Sequence, residues 1–379
     1  MIEWDARLDA CRDASVAAAA DLRRRALAVD ADPDLMAPHF DSPTFAMIRT
    51  GSTPIRYRQT RLDTGPWRYD NDSCLERVIS TLELARGDAA MMLACPGPAL
   101  AGIVVDVLGS EAQKELFYRR IGDGRTWSFF AMSEPGRGND ATAMETRLEA
   151  DGSGGYRLHG VKRYIGNGAR GGIGVVFART GRSALSIRAV LVEPPATGYK
   201  AERLDMVGLR GAYLSEVHLD GVPVPAGMVL GEHLPVTRRG MWGAIQTFHN
   251  MRIQIGAMAV GTGLAMCEYV VEHRRHAPGA DLLTARLEAA KELVYDAAAG
   301  YDADPDQAYL SSVAKLTGTR LAIEVGRWAA AALGPASLIE HPLLEKWTRD
   351  VCAFEFMDGT SNIQRLHVAQ GYLKGARGA

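Results

Sequence analysis

The 379-residue sequence predicts an α+β protein in three blocks: an N-terminal α-helical domain (1–122), a central β domain (123–233) and a C-terminal helical bundle (234–379). Three observations predict it. Apolar residues recur at helical spacing up to about residue 122. From Arg125 to about Gly231 they give way to short stretches rich in β-branched and aromatic residues, separated by Gly, Pro and Asp, the pattern of a compact barrel or sandwich. From Thr237 helical periodicity returns and lasts to the end, and four or more long antiparallel helices make a bundle.

In chain order, the alanine-rich segment from Asp5 to about Leu27 carries Leu8, Cys11, Ala18 and Leu22 on one face and predicts an amphipathic helix. Between Asp30 and Cys74, Pro33, Pro38, Pro43, Pro54 and Pro66 leave room only for short helices. The large apolar groups there, among them Phe40, Phe45, Tyr57 and Trp67, argue for folded loops rather than disorder. Two or three helices follow from Ser73, broken at Pro96-Gly97-Pro98 and capped at Gly109-Ser110. The predicted strands are TWSFFAMSE, YRLHGVKRYIG, IGVVFART, IRAVLVEPP, YKAERL and SEVHLDGVPVP. The later helices are predicted at about 237–273, 282–301, 307–333 and 343–357, with one more after Asp358.

Composition excludes several classes of function. Lys plus Arg total 43 against 45 Asp plus Glu, and no long run of one sign occurs, so nothing draws the chain to nucleic acid or an anionic membrane. Five scattered cysteines without a Cys-x-x-Cys pair argue against a disulfide framework or a zinc site, and no metal is expected. With no apolar run of the ~18 residues a membrane span needs, and charges from the third residue onward, a cytoplasmic protein acting on a small molecule is expected.

The stretch RDVCAFEFMDGTSNIQRLHVAQGYL (349–373) stands out. Val351, Phe354 and Met357 recur at helical spacing, and Asp358-Gly359 breaks the pattern where glycine takes a positive φ without steric cost. Thr360 or Ser361 then caps a helix whose apolar residues Ile363, Leu366, Val368 and Leu373 are expected to pack inward. Asp358 sits at the corner beside Phe356 and Met357. A carboxylate among apolar neighbours is penalised for ionising, so its pKa rises and it can hold a proton taken from carbon. An Asp-Gly turn is also ordinary loop chemistry.

Several segments together carry a family resemblance. AMSEPGRGND (131–140) followed by METR (144–147) looks like a Thr-Glu-Pro-x-x-Gly-Ser-Asp stretch, and YRLHGVK (156–162) with YIGN (164–167) like a Gly-x-Lys-x-x-Ile-Thr-Asn strand pair. Gly208 to Arg210, Val222 to Pro225, Arg252 with Gly261, Ala314-Lys315, Arg349-Asp350 and Asp358-Gly359-Thr360 follow in matching order. From about residue 75 onward the chain resembles the acyl-CoA dehydrogenases, whose fold is a helical domain, a β-barrel domain and a four-helix bundle.

The resemblance implies FAD as cofactor, a homodimer or homotetramer, an acyl thioester of CoA or a carrier protein as substrate, and a possible electron-accepting flavoprotein. It implies that Phe130, Met132, Ser133, Tyr164, Ile165, Gly166, Gly334, Thr360 and Asn362 contact the flavin. It implies that Asn139, His249, Arg252 and Gly359 contact substrate, and that Asp358 stands where the family has its catalytic Glu. Asp is one methylene shorter, and a displacement of roughly 1 Å can cost about 10²-fold in rate. Other departures are Gly166 for the family's Thr, His249 for its Asp, Ala331-x-x-Gly334-Pro335 for its Gln-x-x-Gly-Gly, and His273 to Ala277 for its Arg-x-x-Phe-Gly. Gly166 leaves open a flavin oxidase or a non-oxidative α-carbanion catalyst, and the altered pyrophosphate segment leaves open a non-catalytic binding partner.

Overall fold

The computed structural model describes residues 2–305 and 309–378. Asp5 caps α1 (Ala6–Ala31) by accepting from the Leu8 N–H at 2.9 Å. The helix runs past Leu27 because Val29 and Asp30 are also buried, Asp30 under Arg349. Ser42 caps α2 (Pro43–Ser52), and the turn at Thr64-Gly65 closes a minimal hairpin of β1 (Asp63–Thr64) and β2 (Trp67–Arg68). Ser73 with Glu76 and Ser110 with Gln113 form capping boxes at α3 (Cys74–Ala94) and α5 (Glu111–Ile121). Between them α4 (Ala99–Leu108) begins after the Pro96-Gly97-Pro98 break. The α3 helix is interrupted at Asp88, whose extended backbone (φ −172°, ψ 120°) splits it in two.

The sheet comprises β3 (Ser128–Ala131), β4 (Arg147–Ala150), β5 (Tyr156–Gly166), β6 (Ile173–Arg179), β7 (Ile187–Val192), β8 (Tyr199–Arg203), β9 (Leu214–Val224) and β10 (Val229–Leu230). It forms one eight-stranded sheet in the order β10-β7-β6-β4-β5-β9-β8, with β3 running parallel to β6. Strand β6 is apolar from Ile173 to Ala178 because both its faces are covered. Val175 and Phe177 pack with Val104, Leu108 and Phe117 of the helices, and Val176 and Ala178 pack within the β layer. Strands β4 and β10 escaped the sequence reading. In β4 only Leu148 is buried, and β10 has two residues, so neither shows a period.

The C-terminal helices are α6 (Met241–His273), α7 (Ala280–Ala303), α8 (Tyr309–Leu333), α9 (Ser337–Glu340), α10 (Pro342–Ala353) and α11 (Ser361–Gly378). Helix α6 is long and apolar enough to cross a membrane, contrary to the expectation that no such stretch exists. Most of it is buried within the protein, as the central helix of the core. It crosses α8 at two glycines: a Cβ on Gly256 would lie 2.9 Å from the Ala314 carbonyl, and one on Gly318 2.7 Å from the Gly256 carbonyl.

Two expectations around the corner need correction. Phe356 is 73 % exposed, so it does not bury the acid. On α11, Leu366 and Leu373 are exposed rather than packed inward. At about 3.6 residues per turn the four apolar residues do not share one face. The inward face is instead Ser361, Gln364, His367, Val368 and Gly371.

Candidate active site

The corner between α10 and α11 is a tight reversal. Asp358 (φ 48°) and Gly359 (φ 98°) are both left-handed, a conformation that non-glycine residues adopt at a cost of about 1–3 kcal/mol unless surroundings hold them. Here they are held from three helices. The Asp358 carbonyl accepts from Arg252 Nε of α6 at 3.0 Å and from Gln364 Nε2 of α11 at 3.1 Å. The Gly359 carbonyl accepts from Lys315 Nζ of α8 at 2.6 Å and from Gln364 Nε2 at 2.8 Å. The Glu355 carboxylate accepts from the N–H (2.9 Å) and hydroxyl (2.5 Å) of Ser361, closing the loop.

The consequence for the acid is electrostatic. Arg252 and Lys315 direct donors at carbonyls, and Asp358 Oδ2 is buried with no hydrogen-bond partner among the described residues. Burial raises the Asp358 pKa above the ordinary carboxylate value, and the pull of Arg252 and Lys315 only partly offsets it. Burial likewise lowers Lys315 to about 8, against the attraction of Asp358 and Glu355. His249, three residues before Arg252 on α6, is half-buried, with Nδ1 fully enclosed and unpartnered. Burial, then the charges of Arg252 and His367, lower it to about 4, so it is neutral at pH 7.

The sheet approaches this corner through aromatic contacts. The Phe130 ring lies 5.1 Å from Phe177 and 5.7 Å from Phe248, and the Arg252 guanidinium sits 5.6 Å from the Phe248 ring. Met132 is buried, and its carbonyl accepts from Lys162 Nζ at 2.9 Å. Glu134 accepts from Lys162 (2.9 Å) and from the Thr146 N–H (2.9 Å) and hydroxyl (2.6 Å), fixing the loop after β3. The Ser133 carbonyl accepts from the Arg163 N–H at 2.9 Å. Tyr164 (φ 62°) is the unpaired residue where the β5–β9 register shifts, and it is 54 % exposed. Ile165 is buried in the β core. At Gly166 an added Cβ would come no closer than 3.5 Å to its neighbours, so packing does not require glycine there.

Among the remaining expected residues, Thr360 Oγ1 reaches Asn139 Oδ1 at 3.5 Å, which joins the loop after β3 to the corner. Asn362 is exposed on the first turn of α11 and accepts from Arg365 at 2.9 Å. Gly334 (φ 97°) follows the end of α8, whose stretch from Lys315 to Leu333 spans about 27 Å. A single chain therefore does not bring Gly334 to the corner. The residues that reading the sequence left out of the site are Lys162, Glu134, Lys315, Glu355, Gln364 and His367. Their one local signal is a charged residue on an otherwise uncharged inward face, as with Lys315 in α8.

Residues 129–222 match the family described as the acyl-CoA dehydrogenase middle domain, and residues 238–373 its C-terminal domain. Cyclohexane-1-carbonyl-CoA dehydrogenase of Geobacter metallireducens is 32% identical over 287 residues, 71% of this chain and 73% of that protein. The mitochondrial short-chain specific acyl-CoA dehydrogenase of Rattus norvegicus is 31% identical over 286 residues, 71% of this chain and 68% of that protein. The solved structure of butyryl-CoA dehydrogenase from Megasphaera elsdenii superposes with a TM-score of 0.83 at 23% identity, covering 98% of this chain and 100% of that one. The prolyl acyl carrier protein oxidase AnaB superposes at 0.78 with 23% identity, covering 97% of this chain and 99% of that one, so the same fold extends to it. With two relatives above 30% identity across most of their length, and with both family domains matched in order, the chain belongs to the acyl-CoA dehydrogenase family.

Proposed function

We propose that this protein is a FAD-dependent enzyme that dehydrogenates an acyl thioester, of CoA or of a carrier protein, between its α and β carbons. The observation that carries the reading is the enclosed Oδ2 of Asp358, without a hydrogen-bond partner among the described residues, while Arg252 and Lys315 hold the backbone beneath it. A base of raised pKa, free of a counterion and rigidly placed, is what abstraction of a weakly acidic C–H requires.

The ring half of a flavin suits the residues present. Ser133, the bulged and exposed Tyr164, and the unfilled space at Gly166 lie on adjoining strand segments tied together by the Arg163–Ser133 hydrogen bond. A flavin held there would supply the acceptor for the hydrogen that leaves the β-carbon with its electron pair. Asp358 takes the α-proton, and the Gly359 N–H donates to the thioester carbonyl and so acidifies the α-carbon. Arg252 fixes the base, and Asn139 with Thr360 borders the entrance. The pyrophosphate half of the cofactor has few partners within one chain, because Ala331 and Pro335 carry no side-chain donor.

A homodimer or homotetramer completing that half fits the exposed apolar residues Ile339, Phe356 and Leu366. A second flavoprotein would be the acceptor for the electrons that a flavin held by these residues would carry. The free cysteines suit a cytoplasmic setting. Flavin oxidase activity is the second reading, favoured by the room at Gly166.

Anaerobic mixing with acyl-CoA or acyl-carrier thioesters is expected to bleach the flavin, and oxygen separates the two readings by the rate of its return. Added FAD is expected to raise the melting temperature and shift dilute protein toward dimer, since a ligand of the assembled form stabilises it by mass action. A colourless protein with no thermal shift counts against the proposal.

The pH dependence has a definite sign. Asp358 acts ionised, and its folded pKa is raised, so the rate of flavin reduction is expected to rise with pH through a value above the ordinary carboxylate range. His249, lowered to about 4, is expected to add no inflection near the usual histidine pKa. A rate that falls as pH rises through the acid range contradicts Asp358 as the base.

A further inference from the structure

Arg252 reaches the corner with two bonds, and only one goes to Asp358. Its Nη1 lies 3.1 Å from Nδ1 of His367, on the inward face of α11. A guanidinium carries no acceptor, so Nδ1 must receive the hydrogen bond, which fixes His367 as the neutral tautomer with its proton on Nε2. The bond on Nη1 and the bond from Nε to the Asp358 carbonyl together fix the plane of one rigid fork.

The charged and titratable groups around this fork are Arg252 and His249 from α6, Lys315 from α8, His367 from α11, and Glu355 and Asp358 from the corner. Asp358 is the only carboxylate among them that acts on Arg252, and His249 stands where the resemblance leads one to expect an acid. An acidic residue in the place of His367 would draw the guanidinium toward itself. A neutral imidazole holds it in place without competing for its charge.

We propose that His367 is a positioning residue for the proton-abstracting step: by accepting from Arg252 Nη1 it holds Arg252 Nε on the Asp358 carbonyl, and so keeps the base in its left-handed conformation. The inference rests on the functional reading above. It adds to that reading a residue outside the set that touches flavin or substrate.

Two measurements on the full-length holoprotein test it. The first needs no activity. In protein labelled with ¹⁵N-histidine at pH 7, the imidazole signals missing from H367N should be those of the Nε2–H tautomer. An Nδ1–H tautomer or an imidazolium at His367 overturns the proposal. The second is stopped-flow flavin reduction. H367L, similar in volume but without an acceptor, is expected to lose at least about tenfold in the limiting reduction rate, because a misplacement near 1 Å can cost about 10²-fold. Thioester affinity and melting temperature should stay close to wild type. H367N, whose amide oxygen can accept the same bond, is expected to recover to within about threefold. Equal rates in H367L and wild type, or an H367N variant as slow as H367L, overturn it. If wild type itself fails to reduce flavin with any thioester, the functional reading and the catalytic claim fall together, and the tautomer result still decides the Arg252–His367 geometry.

Discussion

Asp358→Asn is expected to lower thioester-driven flavin reduction by about 10⁴-fold, the upper end of what a positioned proton acceptor contributes, because an amide cannot take the α-proton at neutral pH. The fold should survive. Among the described residues Oδ2 makes no hydrogen bond, and the bonds at this residue run to its backbone carbonyl, which the substitution keeps. Stability should be equal to or above wild type at neutral pH, since a buried carboxylate with a raised pKa opposes folding once it ionises. Its contribution is present below the ordinary aspartate pKa and is lost as pH rises through the folded value. Wild type should therefore lose stability across that window relative to the Asn variant. Melting curves and stopped-flow traces at matched pH check both halves, and unchanged turnover in the variant removes Asp358 from the mechanism. Asp358→Glu supplies the longer acid that the resemblance implies at this position. Partial activity is expected if the corner backbone lies where a longer acid fits, and none if the pocket has closed around the shorter one.

Lys346→Met is expected to have the largest effect on stability, a loss of about 3–5 kcal/mol, the range measured when one partner of a buried ion pair is removed. Lys346 Nζ lies 2.6 Å from Asp88 Oδ2 and 2.6 Å from Asp350 Oδ2, with all three side chains enclosed. Burial opposes the charge on Lys346, but Asp88 and Asp350 together outweigh it and hold its pKa above the usual lysine value. The outer oxygens of the two acids are also committed. Asp88 Oδ1 accepts from the Met91 N–H at 2.8 Å and so caps the second half of the broken α3, and Asp350 Oδ1 accepts from the Leu209 N–H at 2.6 Å. The cluster thus ties α3, the loop before β9 and α10 to one another. Methionine leaves two carboxylates facing each other, and one must take a proton to stay buried. The variant's deficit should be smaller at pH 5 than at pH 8, because a raised carboxyl pKa favours the folded state at low pH and the benefit fades as pH rises. Denaturant titrations at the two pH values measure this. A loss under about 1 kcal/mol would mean that the cluster contributes little to stability.

Much of this was legible in the sequence. The α, β, α order follows from the change of hydrophobic period at Arg125 and again near Thr237, and the breaks at Pro96-Gly97-Pro98 and Gly109-Ser110 follow from local backbone chemistry. The corner at Asp358-Gly359 between two helices was legible for the same reason. Each of these depends on neighbours within a few residues, so a single chain of letters carries them.

Only the tertiary structure decided what the corner does electrostatically. Arg252 and Lys315 lie 106 and 44 residues from the carbonyls they hold, and no local pattern says whether such cations face a carboxylate or the backbone beneath it. It also decided that the inward face of α11 is Gln364 and His367 rather than its leucines, because the corner and Arg252 of α6 need a donor and an acceptor there more than apolar surface. Asp88 shows the same division, since its extended backbone inside a helix-forming segment is held by Lys346 from 258 residues away. Local periodicity fixes which segments become helices and strands. Which polar groups are left without a partner, and hence free for chemistry, depends on pairings between distant segments that exist only once the chain has folded.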